Sequence, residues 1–146
     1  MSIEIEFLRD DTNDFSSSVE RLERELLQSL RAELVQSKNM SFALIARSAA
    51  GDIIGGLTAT SSYNWLLIKI LWVDKASRGT GLGKKLLQRA EKQGSEIGCH
   101  AVWLDTSNPV AERFYTRQGY SEFGRLENEP AQSPSTHRRW FLNKKL

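Results

Sequence analysis

The chain has 146 residues, enough for a single domain to bury about 68–70% of the surface its unfolded form exposes, with no need of a disulfide or metal staple. Its 20 basic and 18 acidic side chains leave a formal charge of +2, which gives no electrostatic ground for a nucleic-acid or membrane partner. One cysteine excludes an internal disulfide; no apolar run approaches the about 20 residues that span a bilayer, and the first residues lack the pattern of a signal peptide, so a cytoplasmic protein is expected.

Ile3, Ile5 and Phe7 or Leu8 alternate with acidic positions and predict a first strand, followed by a turn over residues 10–14. Val19, Leu22, Leu26, Leu27, Leu30 and Leu34 recur at spacings of three and four, which predicts an amphipathic helix that covers a sheet. Residues 42–47 and 53–59 flank Ala50-Gly51-Asp52 and read as an antiparallel hairpin. Residues 65–73, apolar at both alternating sets of positions, predict a central strand buried on both faces.

Directly after that strand comes Arg78-Gly79-Thr80-Gly81-Leu82-Gly83-Lys84, opening a helix whose apolar side is Leu82, Leu86, Ala90 and Ile97 and whose end lies near Gly98. Glycines at alternate positions leave backbone N–H groups unobstructed beside the unsatisfied N–H groups of a helix start, an arrangement that holds phosphate. Arg78 and Lys84 add positive charge. The same glycines also suit a plain surface turn with positive φ. A Walker loop would need Gly at 78 and Ser or Thr at 85, where Arg78 and Lys85 stand; a dinucleotide fingerprint would need Gly at 84, which is Lys84.

Cys99 follows Gly98 and reads as a half-buried, inert thiol. Residues 100–106 alternate and are rich in strand formers, predicting a parallel neighbour reached by the helical crossover. Asn108-Pro109 has the form of an N-cap and first-turn proline, opening a short helix through Ala111, Phe114 and Tyr115 that stops at Gly119. Residues 120–126 and 140–142 supply closing strands around the polar loop 130–136, and the basic residues near the carboxyl end read as a solvated face.

The R-x-x-G-x-G loop at 78–83, the later run Asn108-Pro109-Val110-Ala111-Glu112-Arg113-Phe114-Tyr115-Thr116-Arg117-Gln118-Gly119-Tyr120, and the order of elements resemble the GNAT acetyltransferase superfamily over nearly the whole chain. The resemblance implies an α/β fold in one domain over residues 1–146: a mixed, mostly antiparallel central sheet of six to seven strands covered by about four helices. It implies acetyl-coenzyme A as co-substrate and no metal. Arg78, Gly79, Thr80, Gly81, Leu82, Gly83 and Lys84 would grip its pyrophosphate, and Asn108 would bond the pantetheine arm or serve only as the N-cap. Phe114 would pack beneath the cofactor or in the core. A backbone N–H at the end of the central strand, mapping to Val73 with Leu71 and Trp72 adjacent, would polarise the thioester carbonyl.

Acetyl transfer to an amine also needs a proton for the departing thiolate and a neutral amine. Tyr115 matches the family's general acid, its alternative role being packing against the sheet. Many members carry a Glu on the cofactor-binding strand, but residues 65–73 contain none. Asp105 and His137 are the candidate bases, beside an ordered-water route, although Asp105 equally suits a turn and His137 a structural role. Trp65, Trp72, Trp103 and Trp140 divide between core packing and an acceptor slot. The expected activity is N-acetylation of a small-molecule amine by direct transfer in a ternary complex. A peptide or protein amine is the alternative acceptor, and a non-catalytic acyl-coenzyme A sensor the alternative class. Family habit adds the expectation of a homodimer.

Overall fold

A computed structural model of the chain describes residues 2–146 and falls into two compact units, divided after Gln36. The first contains α1 (Phe15–Glu33). The Ser17 hydroxyl donates to the Asp14 carbonyl at its start, and at its end Gln36 Nε2 donates to the carbonyls of Leu30 (3.0 Å) and Leu34 (2.9 Å), meeting groups that a helix end leaves unpaired. The helix follows the leucine periodicity. One expectation for this unit fails. Residues 3–8 form no strand, and Ile3, Ile5 and Phe7 are exposed: alternation describes a half-buried surface, but a strand exists only through a hydrogen-bonded neighbour. Within this unit no residue of α1 is buried, and Leu22, Leu26, Leu27 and Leu34 lie along its apolar stripe.

The second unit is built on β1 (Ser41–Arg47), β2 (Ile53–Ser62), β3 (Trp65–Val73), α2 (Leu82–Glu96), β4 (Ala101–Thr106), α3 (Pro109–Arg117), β5 (Ser121–Glu127) and β6 (Arg138–Lys145), with one 3-10 turn at Lys75–Ser77. The strands form a six-stranded sheet in the order β1-β2-β3-β4-β6-β5, in which only β3 and β4 are parallel. The β1–β2 hairpin turns at Gly51, whose φ of 92° requires a glycine. Two antiparallel strands can be joined this tightly, whereas the parallel pair needs the crossover that α2 provides.

One face of the sheet carries the core. Leu57, Ala59, Leu66, Ile68, Val102, Leu104, Trp140 and Leu142 pack there with Leu86, Leu87 and Ala90 of α2 and Tyr115 of α3. Gly94 lets α2 approach closely, since a Cβ at that position would stand 2.9 Å from Leu66 Cδ2. A part-buried ion pair joins three elements: Lys144 Nζ of β6 donates to Glu91 Oε2 of α2 (2.7 Å) and to the Gln118 carbonyl at the end of α3 (3.0 Å). Cys99 is buried among apolar neighbours, and that burial pushes its thiol up, as an inert role requires.

Within the second unit only one face of β3 is covered, where burial on both faces was expected. Leu66 and Ile68 are in the core, but Trp65, Ile70 and Trp72 on alternate positions are exposed. Residues 65–73 are apolar apart from Lys69, but apolar side chains are common on protein surfaces, so such a run does not by itself prove two covered faces.

Candidate active site

β3 and β4 pair at only three positions, from Trp65↔Ala101 to Leu67↔Trp103. Beyond them β3 continues with β2 as far as Gly55↔Val73, while β4 continues with β6 as far as Thr106↔Trp140. The divergence begins beside a bulge. The register steps from Ala59↔Ile68 to Thr58↔Ile70, leaving Lys69 unmatched, and a bulge of this kind bends the strand that carries it.

A cleft of about 540 Å³ opens where the strands part, lined by the end of β3, the turn after it, the first turn of α2 and one side of α3. At the β3 end, Asp74 N–H donates to the Ile54 carbonyl (2.8 Å), which makes Gly55↔Val73 a non-hydrogen-bonded pair. The N–H and C=O of Val73 therefore point away from β2, toward the side where β4 has departed. Arg78 Nε donates to that carbonyl (3.0 Å), so the first residue of the glycine loop fastens the loop to the end of the strand.

The loop passes through Gly79 (φ 76°) and Gly81 (φ 82°), both left-handed, and then enters α2. The first backbone N–H of the helix to find a carbonyl is that of Lys85, on Gly81 (3.0 Å). Those of Gly79 to Lys84 have no protein partner among the described residues, which leaves a cluster of donors at a helix amino terminus where the partial positive charge also favours an anion. Arg78 and Lys84 line the same place. These are the features that would accept a pyrophosphate.

α3 begins as its sequence predicts. Asn108 Oδ1 accepts from Val110 N–H (2.9 Å), and Asn108 N–H donates to Thr106 Oγ1 (3.1 Å), with Pro109 in the first turn. Only the amide oxygen is used by the cap. Asn108 lines the cleft and its Nδ2 has no protein partner among the described residues, so capping and ligand binding need not compete for the same atom. Tyr115 stands seven residues further along this stretch, 8% exposed, with its ring edge-on to Phe114 (5.2 Å) and to Tyr120 (5.7 Å). Burial pushes its phenol up to about 12. It is thus a protonated donor throughout the neutral range.

Leu71, Trp72, Val73, Arg78, Gly79, Gly81, Leu82, Gly83, Lys84, Asn108, Phe114 and Tyr115 all line the cleft. Thr80 does not: its hydroxyl turns back to the Ser77 carbonyl (2.6 Å) and closes the loop. Asp105 and His137 are not among the lining residues either. Asp105 pairs with Arg139 Nε (3.1 Å), which occupies it, while the backbone of His137 bonds Pro134 and Asn128 in the loop before β6. Ser77, Val110, Ala111 and Arg117 line the cleft without having been singled out from sequence. The signal was present, since Val110 or Ala111, Phe114 and Arg117 recur at spacings of three and four and share one helix face. Of the tryptophans, Trp140 is core, Trp103 packs edge-on to Phe123, Trp65 packs edge-on to His100, and only Trp72 reaches the cleft.

The sequence model described as the acetyltransferase (GNAT) family matches residues 5–120. An acetyltransferase of Agrobacterium fabrum is 34% identical over 95 residues, covering 65% of this chain and 69% of its own. The blasticidin-S acetyltransferase of Streptomyces morookaense is 39% identical over 80 residues, covering 54% and 59%. Among solved structures, an acetyltransferase from Bacillus cereus superposes with a TM-score of 0.81 at 28% identity, over 97% of this chain and 98% of that one. A Bacillus anthracis protein solved with acetyl-coenzyme A shares the fold (TM-score 0.65, 24% identity, 78% and 69% covered). With four-fifths of the chain inside the family match and the cleft assembled from both sequence motifs, the chain belongs to the acetyltransferase (GNAT) family and is an acetyltransferase.

Proposed function

We propose that the protein is an N-acetyltransferase that moves the acetyl group of acetyl-coenzyme A to the primary amine of a small molecule, directly and without an acyl-enzyme. The observation that carries this reading is the cleft itself. Its lining includes the α2 start with its unpaired N–H groups, Val73 with its outward N–H, Asn108 with an unpaired Nδ2, and Tyr115, which supports the reading. Bound there, acetyl-coenzyme A supplies the activated acyl group. The loop and Arg78 hold its phosphates, and Asn108 Nδ2 donates to its amide arm. The Val73 N–H polarises the carbonyl, as a preorganised backbone donor does in acyl transfer. Tyr115 gives a proton to the departing sulfur.

Among the described residues no carboxylate or imidazole lines the cleft, which supports deprotonation of the amine by water rather than by Asp105 or His137. An alkylamine of pKa about 10.4 then limits the rate at neutral pH through its small neutral fraction. Support for a small acceptor comes from the relative named for blasticidin S. The test is release of coenzyme A thiol with a panel of amines, polar antibiotics and metabolites beside peptides and lysine. Turnover confined to small amines is expected. Tyr115→Phe should lower kcat by about 10² with the KM for acetyl-coenzyme A nearly unchanged; unchanged turnover would remove Tyr115 from the reaction.

A further inference from the structure

Behind Tyr115 lies a second tyrosine that the reaction as described does not use. Tyr120 is 3% exposed, and its hydroxyl is the single buried side-chain polar atom without a hydrogen-bond partner among the described residues. Buried hydroxyls are rarely left unpaired, because desolvation without a hydrogen bond is costly; a site of this kind is commonly completed by one buried water.

The groups around Tyr120 come from three elements. Tyr115 of α3 meets it ring to ring at 5.7 Å. Lys144 of β6 places its ammonium 5.7 Å from the ring centroid and donates to Glu91 of α2. Glu91 is itself buried, at 9% exposure, whereas the Lys144 side chain retains 30% of its exposure. A line of titratable groups thus runs from the cleft wall, through the core, to a side chain that water reaches. Burial pushes the Tyr120 phenol up, with Glu91 and then Tyr115 adding to the effect, so the three groups sit within electrostatic reach of one another.

We propose that Tyr120, with the Glu91–Lys144 pair behind it, is the proton-return path that restores Tyr115 after each acetyl transfer. The inference rests on the reading of Tyr115 as the general acid. When the C–S bond breaks, the Tyr115 O–H bond breaks with it and its proton passes to the thiolate, leaving a phenolate. With coenzyme A filling the cleft, the open side of Tyr115 is covered, and its other side faces Tyr120. Tyr120 passes its proton to Tyr115 through one bridging water. It is refilled by the ammonium proton of Lys144, carried across the Glu91 carboxylate. Lys144, then neutral, regains a proton from bulk water. The sum is one proton moved from solvent to the thiolate, with every group returned to its starting state.

The test compares wild type, Tyr120→Phe, Tyr115→Phe and the double variant in coenzyme A thiol release with an amine that wild type acetylates. Tyr120→Phe keeps the ring and removes only an unpaired hydroxyl, so its melting temperature should equal or exceed that of wild type. The relay predicts about a tenfold fall in kcat for Tyr120→Phe, unchanged KM for both substrates, and no further fall when the change is made in the Tyr115→Phe background. Wild-type kcat in Tyr120→Phe, or the same proportional loss in both backgrounds, overturns the relay and leaves Tyr120 a packing residue. Full turnover by Tyr115→Phe is a different result: it overturns the general-acid reading first, and the relay with it.

Discussion

Tyr115 illustrates how one residue's environment sets both its chemistry and its cost. Its phenol titrates near 10 in an unfolded chain and at about 12 here, so the folded form binds the proton more tightly. The resulting stabilisation is complete below pH 10 and is lost as pH rises through about 12, because between those values the native state must keep or surrender a proton that the unfolded state has already released. Relative to Tyr115→Phe, wild type should therefore lose roughly 2–3 kcal/mol between pH 9 and 12.5, read as the difference between denaturant midpoints of the two proteins. A constant difference across that range would mean that the phenol is not held protonated by burial. The residue roles were unevenly legible. Asn108 and Tyr115 stood out because the one motif over residues 108–120 names them both, and both line the cleft. Asp105 and His137 were chosen by type, which is blind to the Arg139 guanidinium that occupies Asp105.

At the scale of elements, the glycine loop separates two demands that a spacing pattern merges. Gly81 needs its left-handed φ of 82°, with nothing within 4 Å of a Cβ added there. Gly83 has ordinary helical backbone, and its Cβ would project to 3.7 Å from both Val73 Cγ2 and Phe114 Cζ, between two cleft-lining side chains. Gly81→Ala should consequently cost about 1–2 kcal/mol of stability through backbone strain. Gly83→Ala should leave the unfolding midpoint unchanged or raise it, by up to about 1 kcal/mol from helix propensity, yet weaken coenzyme A binding by at least about tenfold. Calorimetric titration beside thermal melts separates the outcomes; equal affinity in Gly83→Ala would show that the pyrophosphate does not approach this turn. The helices and the strands from residue 41 onward were legible because periodicity, caps and glycines mark them locally. The alternation at residues 3–8 misled, since pairing is a property of two segments and the sequence displays only one.

The shape of the whole second unit decides what the loop can recognise. The parting of β3 from β4 follows the bulge at Lys69, and that residue lies inside an apolar run with no glycine or proline to announce it. The cleft could therefore be anticipated only through family resemblance. Its walls come from residues 71–73, 77–84 and 108–117, segments that no local pattern places together. This division of labour yields a discriminating measurement. The loop and the α2 start can read a pyrophosphate, which ATP and NAD also carry; the outward Val73 N–H and Asn108 Nδ2 can read the amide-rich arm that only coenzyme A adds. Coenzyme A at a hundredfold excess over its Kd should stabilise the protein by about 2.7 kcal/mol, a melting-temperature rise of about 5–10 °C for a chain of this size. ATP and NAD at the same concentration should give much smaller shifts. Asn108→Asp, which keeps an oxygen for the Val110 cap but loses the donor, should bring the coenzyme A shift down toward that of ATP while leaving the ligand-free melting temperature nearly unchanged. Equal shifts for coenzyme A and ATP in wild type would reduce the cleft to a phosphate site and detach the splayed strands from donor recognition.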